Sequence, residues 1–127
     1  MTNLHVRTLN LGSRPLEVRL SPRAAAALAG QREPLAIELE LYFSCLLRKR
    51  VNFLSARREG VTLHAPLSDQ VDVSFRPVMT KHCTVGEVVD APDIETFPLQ
   101  RVEAFTPGWL ALDHDGGNWR GEFGFNL

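Results

Sequence analysis

The sequence predicts a β-rich α+β fold: an antiparallel sheet of about six or seven strands, curled or partly closed into a barrel, with one short helix. Three observations predict it. Apolar and polar residues alternate over long stretches, a glycine-rich hairpin signal lies near the C-terminus, and one alanine-rich segment has helix boundary signals. The chain has 127 residues, of which 44% are hydrophobic and 23% charged. That size and balance suit one hydrophobic core, so we expect a single domain over 1–127.

The helix is predicted over residues 21–30. Ser21 is a favourable N-cap because its hydroxyl can accept a hydrogen bond from a free helix amide. Pro22 suits the first helical position, where a backbone donor is not needed, and the run from Ala24 to Ala27 favours helix. Gly30 is expected to end the helix in a left-handed conformation.

The stretch from Pro34 to Phe53 is predicted to be a strand. Its odd-numbered positions from Ile37 onward are apolar except Lys49, and most even-numbered positions are polar. A helix is the alternative, because Leu, Glu and Arg favour helix and Gly60 follows two late arginines. The period of two is the cleaner pattern and favours the strand. It places side chains on two faces: Phe43 and Cys45 inward, and Glu38, Glu40 and Arg48 outward.

The remaining strands are predicted from shorter runs. Four are expected, at 5–11, 16–20, 61–65 and 71–75. Near the end of the chain, residues 109–112 and 119–125 flank the run from Asp113 to Asn118. The Asp and Gly residues of that run favour a tight turn, so the two flanking segments are predicted to form a hairpin.

Membrane and secreted classes do not fit the sequence. Charged residues interrupt the chain at intervals shorter than the roughly 20 apolar residues of a membrane-spanning helix, and no apolar signal segment follows Met1. The two cysteines are too few to form a disulfide framework. We therefore expect a soluble cytoplasmic protein that does not act at a membrane.

No catalytic motif points to an enzyme. The sequence contains neither a glycine-rich phosphate-binding loop, nor a nucleophile elbow, nor a metalloprotease helix motif. Catalytic triads are defined by geometry, which residue types alone do not give. The expectation is a non-enzymatic protein without a cofactor, although a catalytic activity stays open.

The two cysteines indicate an alternative function in thiol or metal chemistry. Cys83 follows Lys81 and His82, and nearby positive charge can make a thiol reactive. A zinc or iron–sulfur site would use Cys83 and His82, with Cys45 assisting. Adjacent residues of a strand point to opposite faces, so His82 and Cys83 could share one ion only in a turn. The competing interpretation is that both cysteines are packing residues.

The order of elements in the first half of the chain resembles the A-type iron–sulfur carrier family. The resemblance rests on a strand, the helix that begins Leu20-Ser21-Pro22-Arg23-Ala24-Ala25, and a following strand that carries Cys45. It implies iron–sulfur carrier activity. The glycine-rich surroundings of the family's first cysteine and its closing Cys-Gly-Cys motif are both missing here, so the sequence lacks the ligands that this activity needs.

The most informative feature is the uneven distribution of charge. Residues 1–64 contain ten basic and five acidic side chains, a net of +5, and residues 65–127 contain four and ten, a net of −6. The basic excess is concentrated in Arg48, Lys49, Arg50, Arg57 and Arg58. The acidic excess includes Glu87, Asp90, Asp93 and Glu95. The net charge of −1 argues against binding nucleic acid with the whole surface.

Three interpretations of this asymmetry are open. The charges can be solvated surface, which is the commonest role of such runs. They can bind a partner protein or a second copy of the chain, where opposite charges meet. The basic residues can also bind the phosphates of single-stranded nucleic acid, with Tyr42 or Phe53 stacking on its bases. We expect Glu38, Glu40 or the acidic stretch to neutralise the basic residues.

The function expected from the sequence is therefore binding, to a protein partner or in self-association. The thiol or metal protein and the binder of single-stranded nucleic acid are the alternatives, and nucleic acid is the less favoured of the two macromolecular partners.

Overall fold

The structure, a computed structural model, describes residues 5–43, 47–80, 94–96 and 106–125. In these ranges it contains one helix, α1 (Pro22–Ala29), and nine strands. The strands are β1 (His5–Leu11), β2 (Arg14–Leu20), β3 (Leu35–Phe43), β4 (Leu47–Leu54), β5 (His64–Pro66), β6 (Val71–Thr80), β7 (Ile94–Thr96), β8 (Trp109–Asp115) and β9 (Asn118–Gly124). No helix in the described part of the chain is long and apolar enough to cross a membrane.

The strands form two mixed sheets. Sheet 1 has the order β1-β2-β8-β9, and sheet 2 has the order β4-β3-β6-β5, with β7 also paired to β6. The pairs β2–β8 and β3–β6 are parallel. The β-rich α+β class is confirmed, whereas the single antiparallel sheet, the partial barrel and the strand number need correction. The reason is the path of the chain. After β1 and β2, α1 leads from sheet 1 to sheet 2, and β8 and β9 then complete sheet 1. Strands that are neighbours in a sheet therefore come from distant segments of the chain.

One hydrophobic core joins the two sheets. Its buried side chains include Val18, Leu110 and Phe123 from sheet 1, and Ile37, Leu39 and Phe75 from sheet 2. Along one side of the molecule β1 lies beside β5, and along the other β4 lies beside β9. On the first side, Arg7 Nη1 donates a hydrogen bond of 2.9 Å to the carbonyl of Leu67 in the turn after β5. Each sheet therefore has an inner face toward the core and an outer face toward solvent.

The stretch predicted as one strand over 34–53 is two strands, β3 and β4, which pair antiparallel. The register joins Ala36 to Leu54 and Phe43 to Leu47, so odd-numbered residues of one strand lie opposite odd-numbered residues of the other. Odd-numbered residues therefore stay on the same face in both strands. The alternation of apolar and polar residues continues across the connection, so it does not show where β3 ends and β4 begins. The predicted inward positions of the Phe43 side chain and of Cys45 lie outside the described residues.

The helix α1 is anchored to β8 by its first turn. The Ser21 hydroxyl accepts a hydrogen bond of 3.0 Å from the Ala24 N–H and donates one of 2.6 Å to the carboxylate of Asp113. Arg23 Nη2 donates to the same carboxylate over 2.6 Å. The predicted N-cap and first-turn proline are confirmed. The predicted left-handed end is wrong, because Gly30 has a φ of −92° while its N–H bonds back to the last turn.

The predicted C-terminal hairpin is confirmed. β8 and β9 pair along their whole length, and Gly116 and Gly117 form the two-residue loop between them. Their φ angles are 58° and 86°, which L side chains rarely adopt and which this kind of tight turn requires. On the outer face of sheet 1, Gly124 leaves room for the indole ring of Trp109, since a Cβ there would lie 2.5 Å from the ring.

Truncation of Phe75 to alanine should strongly destabilise the fold. Phe75 lies on β6, an interior strand of sheet 2, and is 1% exposed. Its removal leaves a cavity in the shared core, so we expect the free energy of unfolding to fall by about 3–5 kcal/mol. Val6 is 56% exposed, and Val6→Ala should cost less than about 0.5 kcal/mol. Urea denaturation measures both variants, and equal losses would contradict the shared core.

The Asp113 carboxylate should contribute stability that is lost in acid. Hydrogen bonds from Ser21 Oγ, from Arg23 and from the backbone N–H of His114 lower the pKa of Asp113 from 3.8 to about 2. A lowered pKa in the folded state stabilises the fold above the unfolded pKa, and this contribution disappears as the pH falls through the folded pKa. We expect the difference in unfolding free energy between wild type and Asp113→Asn to shrink between about pH 4 and pH 2.

Urea denaturation at a series of pH values measures this difference. Asp69→Asn, which removes one exposed carboxylate from a turn, is the control. A wild-type advantage over Asp113→Asn that is as large at about pH 2 as at about pH 6 would contradict the expected linkage.

Candidate functional site

The outer face of sheet 2 carries most of the polar side chains of that sheet. Even-numbered residues of β3 point to this face because their odd-numbered neighbours fill the core. Three carboxylates project from its strands: Glu38 and Glu40 from β3, and Asp72 from β6. The segment 55–63 follows β4 and leads the chain to β5 at the opposite edge of the sheet.

Glu38 is buried on this face beneath Arg58. Only 1% of the Glu38 side chain is exposed, although its strand position is on the outer face. Arg58 Nε lies 2.8 Å and 3.0 Å from the two carboxylate oxygens, and the side-chain amide of Asn52 donates to one of them over 2.9 Å. A buried carboxylate requires such partners, because removing its charge from water is costly. The Glu38 side chain points to the outer face, as predicted, but it is buried there and not exposed to solvent.

The other two carboxylates on this face also have arginine partners. Arg57 Nη1 donates to Asp72 over 3.2 Å, and the His64 Nδ1 atom lies 3.3 Å from the same carboxylate oxygen. Arg76 Nη1 donates to Glu40 over 3.1 Å. The expected neutralisation of the basic residues is present for Arg58, through Glu38, whereas Glu40 binds Arg76, which was not one of the predicted basic residues.

Of the described residues, five arginines reach this face, and three carboxylates bind three of them. The two that remain are Arg48 and Arg50, neighbours of one another on the same face of β4. Arg48 lies opposite Tyr42 in the register, and Arg50 lies opposite Glu40, whose carboxylate is already held by Arg76. Among the described residues, neither Arg48 nor Arg50 forms an ion pair with a carboxylate.

The exposed residues Arg48, Lys49 and Arg50 form a continuous basic edge on β4. A cleft of about 490 Å³ lies against it, lined by these three residues together with Glu40 and the half-buried Tyr42. In an extended strand, Arg48 and Arg50 are separated by about 6.5–7 Å along the chain. The cleft thus presents two guanidinium groups beside a phenol ring, which is suited to binding carboxylate or phosphate groups.

Lys49 points to the opposite face of β4, toward the side of the core. It is the one polar residue in the odd-numbered series of β3 and β4, where the other positions are apolar. Its Nζ atom lies 6.0 Å from the ring centre of Phe123 and 5.9 Å from that of Phe125. The ammonium group is attracted to the faces of both rings, while its position at the end of the core leaves it exposed.

A second cleft, of about 360 Å³, lies between β4 and sheet 1. It is lined by Lys49, Arg50 and Val51 of β4 and by Trp109, Gly121, Glu122 and Phe123 of sheet 1. Because Lys49 and Arg50 line both clefts, the two clefts meet at the edge of β4.

The structure divides the predicted basic site. Arg48, Lys49 and Arg50 are exposed at one edge, whereas Arg57 and Arg58 are bound to carboxylates. Of the two aromatic residues proposed for base stacking, Tyr42 lines the cleft. Phe53 instead stacks on Trp119 on the inner side, with ring centres 6.1 Å apart.

The predicted thiol or metal site lies outside the described residues. Cys45, His82 and Cys83 all fall in ranges that the structure does not describe, so their roles stay predictions. In the described ranges, no three His, Cys, Asp or Glu side chains come together in a way that could hold a metal ion.

Arg76 is a part of the site that the sequence analysis did not single out. It lies on β6 and binds Glu40, the carboxylate that lies opposite Arg50 in the register of β3 and β4. Its even-numbered position within the alternating run of β6 was a usable signal for the polar face. The parallel pairing of β3 with β6 was not readable from the pattern.

Comparison with known proteins adds no relative: no protein-family model matches the chain, and no curated protein and no solved structure is significantly similar to it.

Loss of Arg58 should destabilise the protein more than loss of Arg57. Arg58→Ala leaves the buried Glu38 carboxylate with Asn52 as its remaining side-chain partner, so we expect the free energy of unfolding to fall by about 2–4 kcal/mol. Arg57→Ala removes the same charge from the neighbouring residue, but its partner Asp72 is 27% exposed, and the expected cost is about 1 kcal/mol or less. Urea denaturation of the two variants makes the comparison. Equal costs would show that Arg58 does not compensate a buried charge.

Proposed function

We propose that the protein is a binding domain that holds an acidic segment of a partner protein at the basic edge of β4. The observation that carries this proposal is the surplus of two arginines on the outer face of sheet 2. Among the described residues, every carboxylate of that face has an arginine partner, whereas Arg48 and Arg50 have no carboxylate partner. They lie together beside a cleft, where partner carboxylates can reach them.

The chemistry of this edge suits carboxylates. A guanidinium group binds a carboxylate through two parallel hydrogen bonds, which fixes orientation as well as charge. Arg48 and Arg50 are spaced like alternate residues of an extended chain, so two acidic residues of a partner segment can pair with them together. Tyr42 provides a half-buried ring with a polar hydroxyl in the same cleft, a residue type that is common at protein interfaces.

Binding of single-stranded nucleic acid is the second candidate, and the same arginines favour it. The geometry supports it less well. Arg57 and Arg58 are engaged with carboxylates, and Phe53 is packed against Trp119, so the patch keeps three of its five cations and one of its two stacking rings. Single-strand binding usually combines a longer basic groove with several exposed aromatic side chains.

Two further functions remain predictions from the sequence: thiol or metal chemistry, and self-association. A thiol or metal function would use Cys83, His82 and Cys45, all outside the described residues. Self-association would bring the basic edge of one molecule to acidic residues of another. Both are tested independently of the basic edge, by elemental analysis with thiol titration and by light scattering.

Binding of an acidic peptide tests the proposal. The probe is a fluorescein-labelled peptide of eight residues that alternates glutamate with valine, and the matched probe has glutamine in place of glutamate. We expect the acidic probe to bind in about 50 mM salt, measured by fluorescence anisotropy, and to weaken as salt is raised, because exposed ion pairs are screened. The glutamine probe should bind at least about tenfold more weakly, since it offers no charge to Arg48 and Arg50.

Arg48→Ala/Arg50→Ala should weaken the acidic peptide by about tenfold or more, because two exposed ion pairs of about 0.7–1 kcal/mol each are lost. The control Arg14→Ala/Arg32→Ala removes the same charge from two exposed arginines elsewhere, and should leave the affinity within about twofold. If both double variants weaken peptide binding equally, the effect comes from the net charge of the protein and not from Arg48 and Arg50. Tighter binding of a labelled single-stranded oligonucleotide than of the peptide, lost in the first double variant, would favour the nucleic-acid candidate instead.

A further inference from the structure

In the described part of the chain, β4 has a free edge, meaning a side with no paired strand, at the centre of the proposed binding site. It pairs with β3 along one side, and no strand in the described ranges pairs with its other side. The strand β9 lies beside this side of β4 and packs against Val51 and Phe53 near its end, but the two strands are not paired. Within the described residues, the backbone N–H and C=O groups around Arg48, Lys49 and Arg50 have no strand partner, as at the edge of a sheet. The exposed residues Arg48, Lys49 and Arg50 lie along this part of the edge.

Clefts lie on both faces of the same edge. The cleft with Tyr42 lies on the outer face of sheet 2, and the cleft with Trp109 and Phe123 lies toward sheet 1. A strand added beside β4 would direct alternate side chains into the two clefts, because successive side chains of a strand point to opposite faces. A ligand bound in one cleft alone need not be a strand. An added strand is favoured because the two clefts meet along the free edge of β4.

We propose that β4 receives an extended segment of the partner as an additional strand of sheet 2. This inference rests on the proposed function, since it specifies how the acidic segment is held. Backbone hydrogen bonds to β4 supply affinity, and the side-chain clefts select the sequence, as in other complexes formed by strand addition.

The two faces of β4 define the sequence that fits. Residues of the added strand opposite Arg48 and Arg50 lie on the outer face, where acidic side chains pair with the guanidinium groups. The residue between them lies on the other face, beside Lys49, whose ammonium group is held over Phe123 and Phe125. That side leads to the cleft in which Val51, Trp109 and Phe123 lie beside the Glu122 carboxylate. An apolar side chain fits there, whereas an acidic one would meet the like charge of Glu122. The partner segment therefore alternates acidic and apolar residues.

The β4 strand of a second copy is a poor occupant of this edge. Antiparallel pairing of β4 with its own copy would place arginine and lysine side chains opposite cations of the other molecule. Like charges that lie directly opposite one another destabilise a strand pair. Charge complementarity thus favours an acidic segment of a different protein.

Backbone methylation of the acidic peptide tests strand addition. In an added strand, alternate N–H groups point toward β4 and the others point away. Two versions of the glutamate–valine peptide carry N-methyl groups at the glutamates or at the valines, so charge is unchanged and hydrophobic composition is matched. We expect one version to bind about tenfold or more weakly than the unmethylated peptide, and the other to stay within about threefold, because one set removes the donors to β4 and the other does not.

Each outcome supports or overturns the proposal. Unequal effects of the two methylated versions support strand addition. Binding that both versions keep, or that both lose equally, overturns it, and the proposed function stands as long as the unmethylated peptide depends on Arg48 and Arg50. If the unmethylated peptide does not bind and Arg48→Ala/Arg50→Ala forms dimers in light scattering, the cations serve to keep a free edge from self-pairing, and both proposals fail.

Discussion

Burial of the Glu38 carboxylate beneath Arg58 is the interaction on which the outer face of sheet 2 depends. It ties the segment 55–63 to the centre of the sheet, which brings Arg57 to Asp72. The same segment ends at Leu63, whose carbonyl accepts a hydrogen bond of 2.9 Å from Phe75 N–H and whose side chain packs against the core. One ion pair therefore sets the path between β4 and β5. By engaging Arg57 and Arg58, this path leaves Arg48 and Arg50 as the unpaired arginines among the described residues of this face.

Local sequence signals predicted much of the secondary structure, but they did not predict which distant strands pair with each other. The N-cap of α1 and the glycine turn of β8–β9 are encoded within a few residues, so both could be read from the sequence. The break between β3 and β4 could not be read from the sequence. Ser44 is the one turn-favouring residue of Ser44-Cys45-Leu46, which is a weak signal, and the register preserves the alternation. The parallel pairs β2–β8 and β3–β6 join segments that no local pattern connects.

The sequence predicted which basic residues belong to the candidate site, but not which of them bind carboxylates. The runs at 48–50 and 57–58 were visible as a basic excess, but the carboxylates that bind Arg57 and Arg58 lie 15 and 20 residues away in the chain. Which cations stay free is decided by those distant contacts. Lys49 was visible only as an exception to the alternation. Its explanation required Phe123 and Phe125, which reach it from the last strand of the other sheet and the residue after it.

A local surplus of charge on a nearly neutral protein has a consequence for recognition. The net charge of −1 gives little long-range attraction for an acidic partner, and at physiological salt charges interact over only about 8 Å. Arg48 and Arg50 can therefore act only on groups already close to β4. Under the proposed function, selection of a partner would therefore depend on the pattern of its side chains along the edge, and acidic composition alone would be insufficient. A free strand edge between two clefts is suited to reading such a pattern, because it fixes the spacing and the facing of each residue that it binds.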